Sequence, residues 1–307
     1  MNNVRPHENL KAHAAMLLFS FLVSTSFTVG RAITFALDPA ALTFLRFSMA
    51  IVIFSGVAWF SKEVFKWPSL RDWLRYFFLA LLLVIFFVSM FEGLRWTTPL
   101  AAGAVFTLTP VMTAVIARLW LGQRPGPVIA ASLLIASLAS IWIMFSGDLA
   151  AITGLKIGRG EVIFLIGCAS YAAYTPAVKK LHVGGGLVYL TLWTLVAGAI
   201  LLLAYGWSAI TTTNWHLVSP VVYLAVGWLA FFTTAITFYL VQYGAMRLPG
   251  VKVMSYTLLI PAFILLQRLV SGGSWPGASV VAALAVLAVA MLVLQRAPSR
   301  SSGPAGR

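Results

Sequence analysis

Residues 107–127 read TLTPVMTAVIARLWLGQRPGP, and residues 258–278 read LLIPAFILLQRLVSGGSWPGA. Each sets a proline inside an apolar run long enough for a helix, where proline removes a hydrogen bond and kinks or breaks the helix. A shift of 151 residues lays Pro110 on Pro261, Gly122 on Gly273 and Pro125-Gly126 on Pro276-Gly277, with Gly93 on Gly244 upstream. Leu108, Ala131, Leu133 and Ala139 also meet identical residues, although apolar coincidences are common in so apolar a chain. Glycines and prolines repeating in register are not. The sequence therefore reads as an internal duplication, in which the awkward helix was copied with the half-protein that held it.

The chain has 307 residues, 61% hydrophobic and 9% charged, with a mean hydropathy of +0.96. Soluble domains carry about a quarter charged residues, so this one cannot cover a water-facing surface. It reads as an all-α integral membrane protein, with the lipid bilayer as its surroundings. A membrane-crossing helix takes about 20 mainly apolar residues. Ten segments qualify: 14–33, 39–60, 74–95, 99–120, 127–146, 161–179, 187–206, 219–243, 249–270 and 278–296. Asp38-Pro39, Pro99 and Pro249 mark helix starts, and Gly122 and Gly273 mark ends. The stretch MNNVRPHENLKAH at 1–13 is too polar for a signal sequence, so the N-terminus is expected to stay attached. The tail RAPSRSSGPAGR is expected to be disordered. A single cysteine, Cys168, excludes an internal disulfide and a cysteine metal site.

The net charge is +14, from 21 Lys and Arg against 7 Asp and Glu. In a soluble protein this would suggest a nucleic-acid partner; here the basic residues sit between apolar runs, as orientation signals do, and no nucleic acid is expected. With the N-terminus in the cytoplasm, fifteen basic residues fall on the cytoplasmic side, and four, Arg31, Arg95, Lys156 and Arg159, on the other. Arg46 and Arg268 fall within spans. The positive-inside rule thus places both termini in the cytoplasm. The two copies, 14–146 and 161–296, hold five spans each, an odd number, so they should lie upside down relative to each other. Charges agree: Lys62, Lys66, Arg71 and Arg75 are matched in the second half by GWSAITTTNWHL at 206–217, which has no Lys or Arg. Inverted repeats around a midplane site are the plan of secondary transporters.

Residues 38–47, DPAALTFLRF, and 98–123, TPLAAGAVFTLTPVMTAVIARLWLGQ, resemble the second- and fourth-span signatures of the EamA family of the drug/metabolite transporter superfamily. The likeness runs over about residues 14 to 297. It departs at Gln123 and Ser274, where the family commonly has an acidic residue, and at STSFTVGR, where the first span usually opens with Trp-Gly. The resemblance implies a ten-helix fold of two inverted five-helix repeats in a bacterial inner membrane. Within the family the nearest type is the YddG-type amino-acid exporter, which implies export of amino acids, aromatic ones among them, or similar metabolites. A drug, polyamine or nucleotide-linked sugar is the alternative cargo. The small-molecule substrate is the one partner expected beyond lipid, for a monomer or weak homodimer.

Ionisable groups inside spans are costly and need a reason. Glu92 and Arg95, three residues apart, share a helix face, and Arg46 lies at a compatible depth, so Glu92 pairs with Arg46 or Arg95, as a structural tie or an outer gate. Arg268 should snorkel to the interface. With no Asp or Glu at mid-span, the central cavity is expected to be free of fixed charge and transport to run downhill. The cargo would then be held by hydroxyls and rings: Ser26 and Phe27 in the first span, Phe86, Ser89 and Met90 in the third, Tyr171 and Tyr174 in the sixth. Thr237 and Tyr239 in the eighth, and Thr107 and Tyr256 just before the kink prolines Pro110 and Pro261, complete the set. The Ala-rich tenth span and AAGA at 101–104 suit close packing or a dimer face. No G-x-x-x-x-G-K-S/T, H-E-x-x-H or G-x-S-x-G occurs, and GLKIGRG at 154–160 reads as a turn. No enzyme activity, cofactor or metal is expected.

Overall fold

In hydrocarbon every backbone N–H and C=O has to be satisfied within the protein, and a helix does this inside one segment. The computed structural model describes residues 6–60, 67–122, 126–153, 157–181, 186–245, 247–248 and 250–297, and among these there is no strand. The polar tail, Lys62, Lys66, Gln123 and Pro249 lie outside the described residues. Helix α1 (Pro6–Ile33) starts earlier than its apolar run, so that His13 is helical, and α2 spans Pro39–Phe60. Helix α3 (Leu70–Leu94) also starts early, because Ser69 and Asp72 form a capping box. The fourth span is split into α4 (Pro99–Phe106) and α5 (Thr109–Leu121), and α6 is Pro127–Met144. After the short α7 (Leu149–Thr153) come α8 (Arg159–Leu181), α9 (Leu187–Tyr205) and the loop helix α10 (Trp207–Thr212). The eighth span runs as α11 (Pro220–Ala230), a π-helical turn over Phe231–Ile236, and α12 (Thr237–Ala245). The ninth runs as α13 (Gly250–Met254), a 3₁₀ turn over Ser255–Leu259, and α14 (Ile260–Val270); α15 is Ala278–Arg296. Ten of these runs are long and apolar enough to cross a membrane.

Both kink prolines sit at the first positions of a restarting helix, Pro110 in α5 and Pro261 in α14. There a missing N–H has no intrahelical partner to lose, so the break is tolerated. The end signals differ slightly between halves. Gly122 takes φ 66°, the left-handed conformation, whereas in the second half it is Gly272 (φ 76°) and not Gly273 that does so.

Small residues set the closest helix approaches. A side chain at Gly93 or Gly160 would strike the other's carbonyl, and one at Gly167 would strike Ser89 and the backbone of Phe86, so α3 and α8 pack glycine to backbone. In α4, Gly103 gives way to Ile264 of α14. One face of α15 packs inside the molecule, where Ala283, Leu287 and Ala290 share a buried cluster with Ala136 and Ala139 of α6, while Ala282 and Ala285 are exposed. The main neighbours of α3 are α8 and α9; those of the eighth span are α1 and α2. Likewise α8 packs on the fourth span and α1 on the ninth, while α2 meets α9 and α6 meets α15. Exchanging each span for the one five places on maps this set of pairings onto itself.

Candidate functional site

The centre of the bundle is aromatic. Phe86 of α3 lies 4.6 Å from Tyr171 of α8 and 5.5 Å from Phe106 of α4, centroid to centroid. Phe106 is 5.5 Å from Tyr171 and 5.8 Å from Phe27 of α1. These pairs are all tilted, not face-to-face sandwiches, as aromatic quadrupoles prefer. The rings line a cavity of about 20 Å³ together with Val23, Ser26, Met90, Thr237 and Phe238, among others. That volume holds about one water, too little for an organic ligand, and in this sense the conformation is occluded. At the repeat offset, Phe86-Phe87 corresponds to Thr237-Phe238, and all four line the cavity, one pair from each half.

Arg46 of α2 also lines the cavity and is fully buried. Its Nε donates to Thr234 Oγ1 (2.8 Å), and its Nη2 to Thr233 O (3.0 Å) and Thr233 Oγ1 (2.9 Å). The guanidinium lies over Phe87, 4.2 Å from the ring centroid, a cation–π contact. Nη1 has no partner. The acceptors are presented by the π-helical turn, where the wider coil frees main-chain oxygens and π-turns recur at functional sites. Of the two partners expected for Glu92, Arg46 is captured by the Thr233-Thr234 pair instead, and Arg95 is the one found. One expectation is corrected here. The cavity is not free of fixed charge, because α2 turns this arginine inward.

The expected hydroxyl-and-ring group divides. Ser26, Phe27, Phe86, Met90, Tyr171 and Thr237 line the cavity. Tyr174 stacks on Tyr171 at 6.2 Å but stands outside the lining, and Ser89 is spent against Gly167 in the α3–α8 contact. Thr107 bonds Ser140 and Ala104 O, tying the fourth span to the fifth. Tyr256 shares a 2.5 Å hydrogen bond with His13 at the end of α1 that carries the N-terminus. Tyr239 is 64% exposed on the outer surface of the bundle, stacked on Tyr243, and does not reach the cavity. Phe19, Phe87, Phe106, Thr233 and Phe238 line it without having been singled out together.

Both ends are tied. Glu92 pairs with Arg95 (3.3 Å), whose Nε and Nη2 donate to Thr34 O (3.0 Å) and Leu37 O (2.9 Å). Arg31 reaches Leu94 O, so the α1–α2 turn is clipped onto the end of α3. Above this clip opens a cleft of about 630 Å³ between that turn and the loop before α11, lined by Asp38, Arg95 and Asn214 among others. Gln267 of α14 joins the ninth span to the first, donating to Ser24 Oγ (2.5 Å) and accepting from Thr28 Oγ1 (2.7 Å). Arg268 bonds Ser274 at the surface, as a snorkelling residue does. At the other end His13–Tyr256 and Lys252, whose Nζ donates to Gln295 O (2.5 Å), join the first, ninth and tenth spans. Among the described residues no group of three or more His, Cys, Asp or Glu could hold a metal.

A ten-span, all-α bundle with a cavity lined from both halves of its sequence is a multi-pass membrane protein of the drug/metabolite transporter fold. Residues 10–145, within the first five spans, match the EamA-like transporter family. The chain is 21% identical over 255 residues to "Uncharacterized transporter YyaM" of Bacillus subtilis (strain 168), covering 83% of this chain and 84% of that one. It is 24% identical over 280 residues to "Uncharacterized transporter YcxC" of the same organism, covering 85% and 87%. A solved crystal structure superposes with a TM-score of 0.65 at 19% identity, over 94% of this chain and 97% of that one.

Proposed function

We propose that this protein is a secondary transporter that moves small organic metabolites, amino acids among them, out of the cytoplasm by alternating access. The observation that carries the reading is the occluded cavity, built from spans 1, 2, 3, 4, 6 and 8 and so from both halves, with separate ties at each end. A central cavity collapsed too small for its cargo is what an empty carrier passes through between outward- and inward-facing forms. The exchangeable helix pairings support two oppositely oriented five-helix units, which can rock about one site. The EamA-type domain and the relatives named as transporters point the same way. The charge distribution supports an inner-membrane protein with both termini cytoplasmic, and we take its assembly to be a monomer or weak homodimer. The aromatic lining favours amino acids with rings, as in a YddG-type exporter, over polyamines, which would need an acidic partner in the cavity.

Uptake into everted vesicles tests this. Radiolabelled phenylalanine should accumulate in vesicles carrying the protein and not in controls. Vesicles that accumulate no amino acid or related acid above control would overturn the proposal.

A further inference from the structure

The transport reading leaves Arg46 unexplained. A buried cation in hydrocarbon normally has a counter-charge. None approaches this one: the ion pairs among the described residues are Arg75–Asp72 and Arg95–Glu92. Neutral threonine oxygens occupy Nε and Nη2, and Nη1 has nothing. No acidic side chain lines the cavity. The remaining polar groups there are uncharged hydroxyls, and most of the other lining side chains are rings. A single cation among rings and hydroxyls suits a flat molecule with one negative end.

Resting on the carrier reading, we infer that the cavity's ligand is an organic anion whose carboxylate sits on Arg46 Nη1, with its apolar body against Phe86, Phe106 and Tyr171. The carboxylate supplies the missing counter-charge and accepts from the unpartnered Nη1. An ammonium group on the same ligand meets no opposite charge, so it is dispensable. A lone guanidinium also suits a monoanion better than a phosphate dianion. The ligand class is therefore the carboxylic acid with an aromatic or apolar body, and an amino acid is one member of it.

The test uses the purified full chain and a matched series: 3-phenylpropionate, phenylalanine, 3-phenylpropionamide and phenethylamine, with chloride and phosphate alongside. Ligands of the folded form raise its melting temperature by mass action. Both carboxylates should do so, and the amide and amine should not. Arg46→Met should weaken carboxylate binding at least about tenfold, and Arg46→Lys, which keeps the charge but loses the planar fork, by less. Equal stabilisation by the amine or amide, a shift reproduced by chloride or phosphate alone, or undiminished carboxylate binding in Arg46→Met would overturn the assignment. Should Arg46→Met not fold, Arg46→Lys together with the ligand series decides the matter. Proteoliposome flux separates the two claims. Arg46-dependent carboxylate binding without flux leaves the anion site standing and ends the carrier; flux indifferent to the carboxylate keeps the carrier and ends the anion site.

Discussion

Replacing Arg46 with methionine should leave the empty protein as stable as before or more so. The substitution removes three hydrogen bonds from a charged donor, each worth about 1.5–3 kcal/mol net. Against that stands the desolvation of a guanidinium with no counter-ion, an effective cost of several kcal/mol. What decides the sign is the state of the groups left behind. Thr233 Oγ1 and Thr234 Oγ1 still donate to Leu229 O (2.8 and 3.1 Å), and Thr233 O still accepts from Thr237 Oγ1 (2.9 Å). No donor is orphaned, and methionine's flexible side chain fills most of the space. Exchanges of buried ionic groups for apolar ones of similar volume run from neutral to about 1–4 kcal/mol stabilising.

Melting followed by tryptophan fluorescence, at one scan rate and without ligand, reads this directly. At about 2–4 °C per kcal/mol for domains of 150–250 residues, the expected change is zero to roughly 10 °C upward. A fall of more than about 5 °C would refute the reasoning. It would mean that Arg46 ties α2 to the eighth span and that its charge is satisfied within the protein.

The glycine-to-backbone contact of α3 with α8 makes Gly167→Leu severe: overpacking of this kind costs about 1–3 kcal/mol or more, seen as lower expression and melting temperature, whereas Gly227→Ala, in open space within α11, should lower neither. Tyr171→Ala removes a cavity wall and should slow flux at least about tenfold, while Tyr239→Ala, on the outer surface, should leave flux within about twofold. Pro261→Ala restores an N–H at a position where none is needed, so stability should move by less than about 1 kcal/mol. Flux should fall nonetheless, as the 3₁₀ turn over 255–259 becomes free to join α14 into one helix.

The kinks were legible because proline and glycine act through the backbone, and backbone effects are local in sequence. Pro110 and Pro261 could be read as paired breaks without knowing what surrounds them. The aromatic wall was half legible. Phenylalanine is equally at home facing lipid or a cavity, so Phe19, Phe87 and Phe106 carried no signal of their own, though the Phe86-Phe87 and Thr237-Phe238 offset could have. The choice between Arg46 and Arg95 as the partner of Glu92 is not legible in the sequence, because depth along α2 is readable while facing is not. The competing acceptors came from a π-helical turn in FFTTAI, which no residue of that run announces. Its adjacent threonines inside an apolar span were the available clue. Tyr239 was misassigned for the same reason of facing: the extra residue of the π-turn rotates α12 relative to α11, so a regular helical count along the eighth span fails past Ile236.

Access to the cavity from the two sides is the most direct measure of the central claim. Ser26→Cys in a Cys168→Ala background puts one thiol on the cavity lining, where Ser26 is buried in the occluded form. Right-side-out and everted vesicles would be treated with a membrane-impermeant thiol reagent, with and without 3-phenylpropionate. Alternating access around the Arg46 cavity requires modification from both sides, slowed by the carboxylate in each case. Modification from one side only, or from neither, would contradict it.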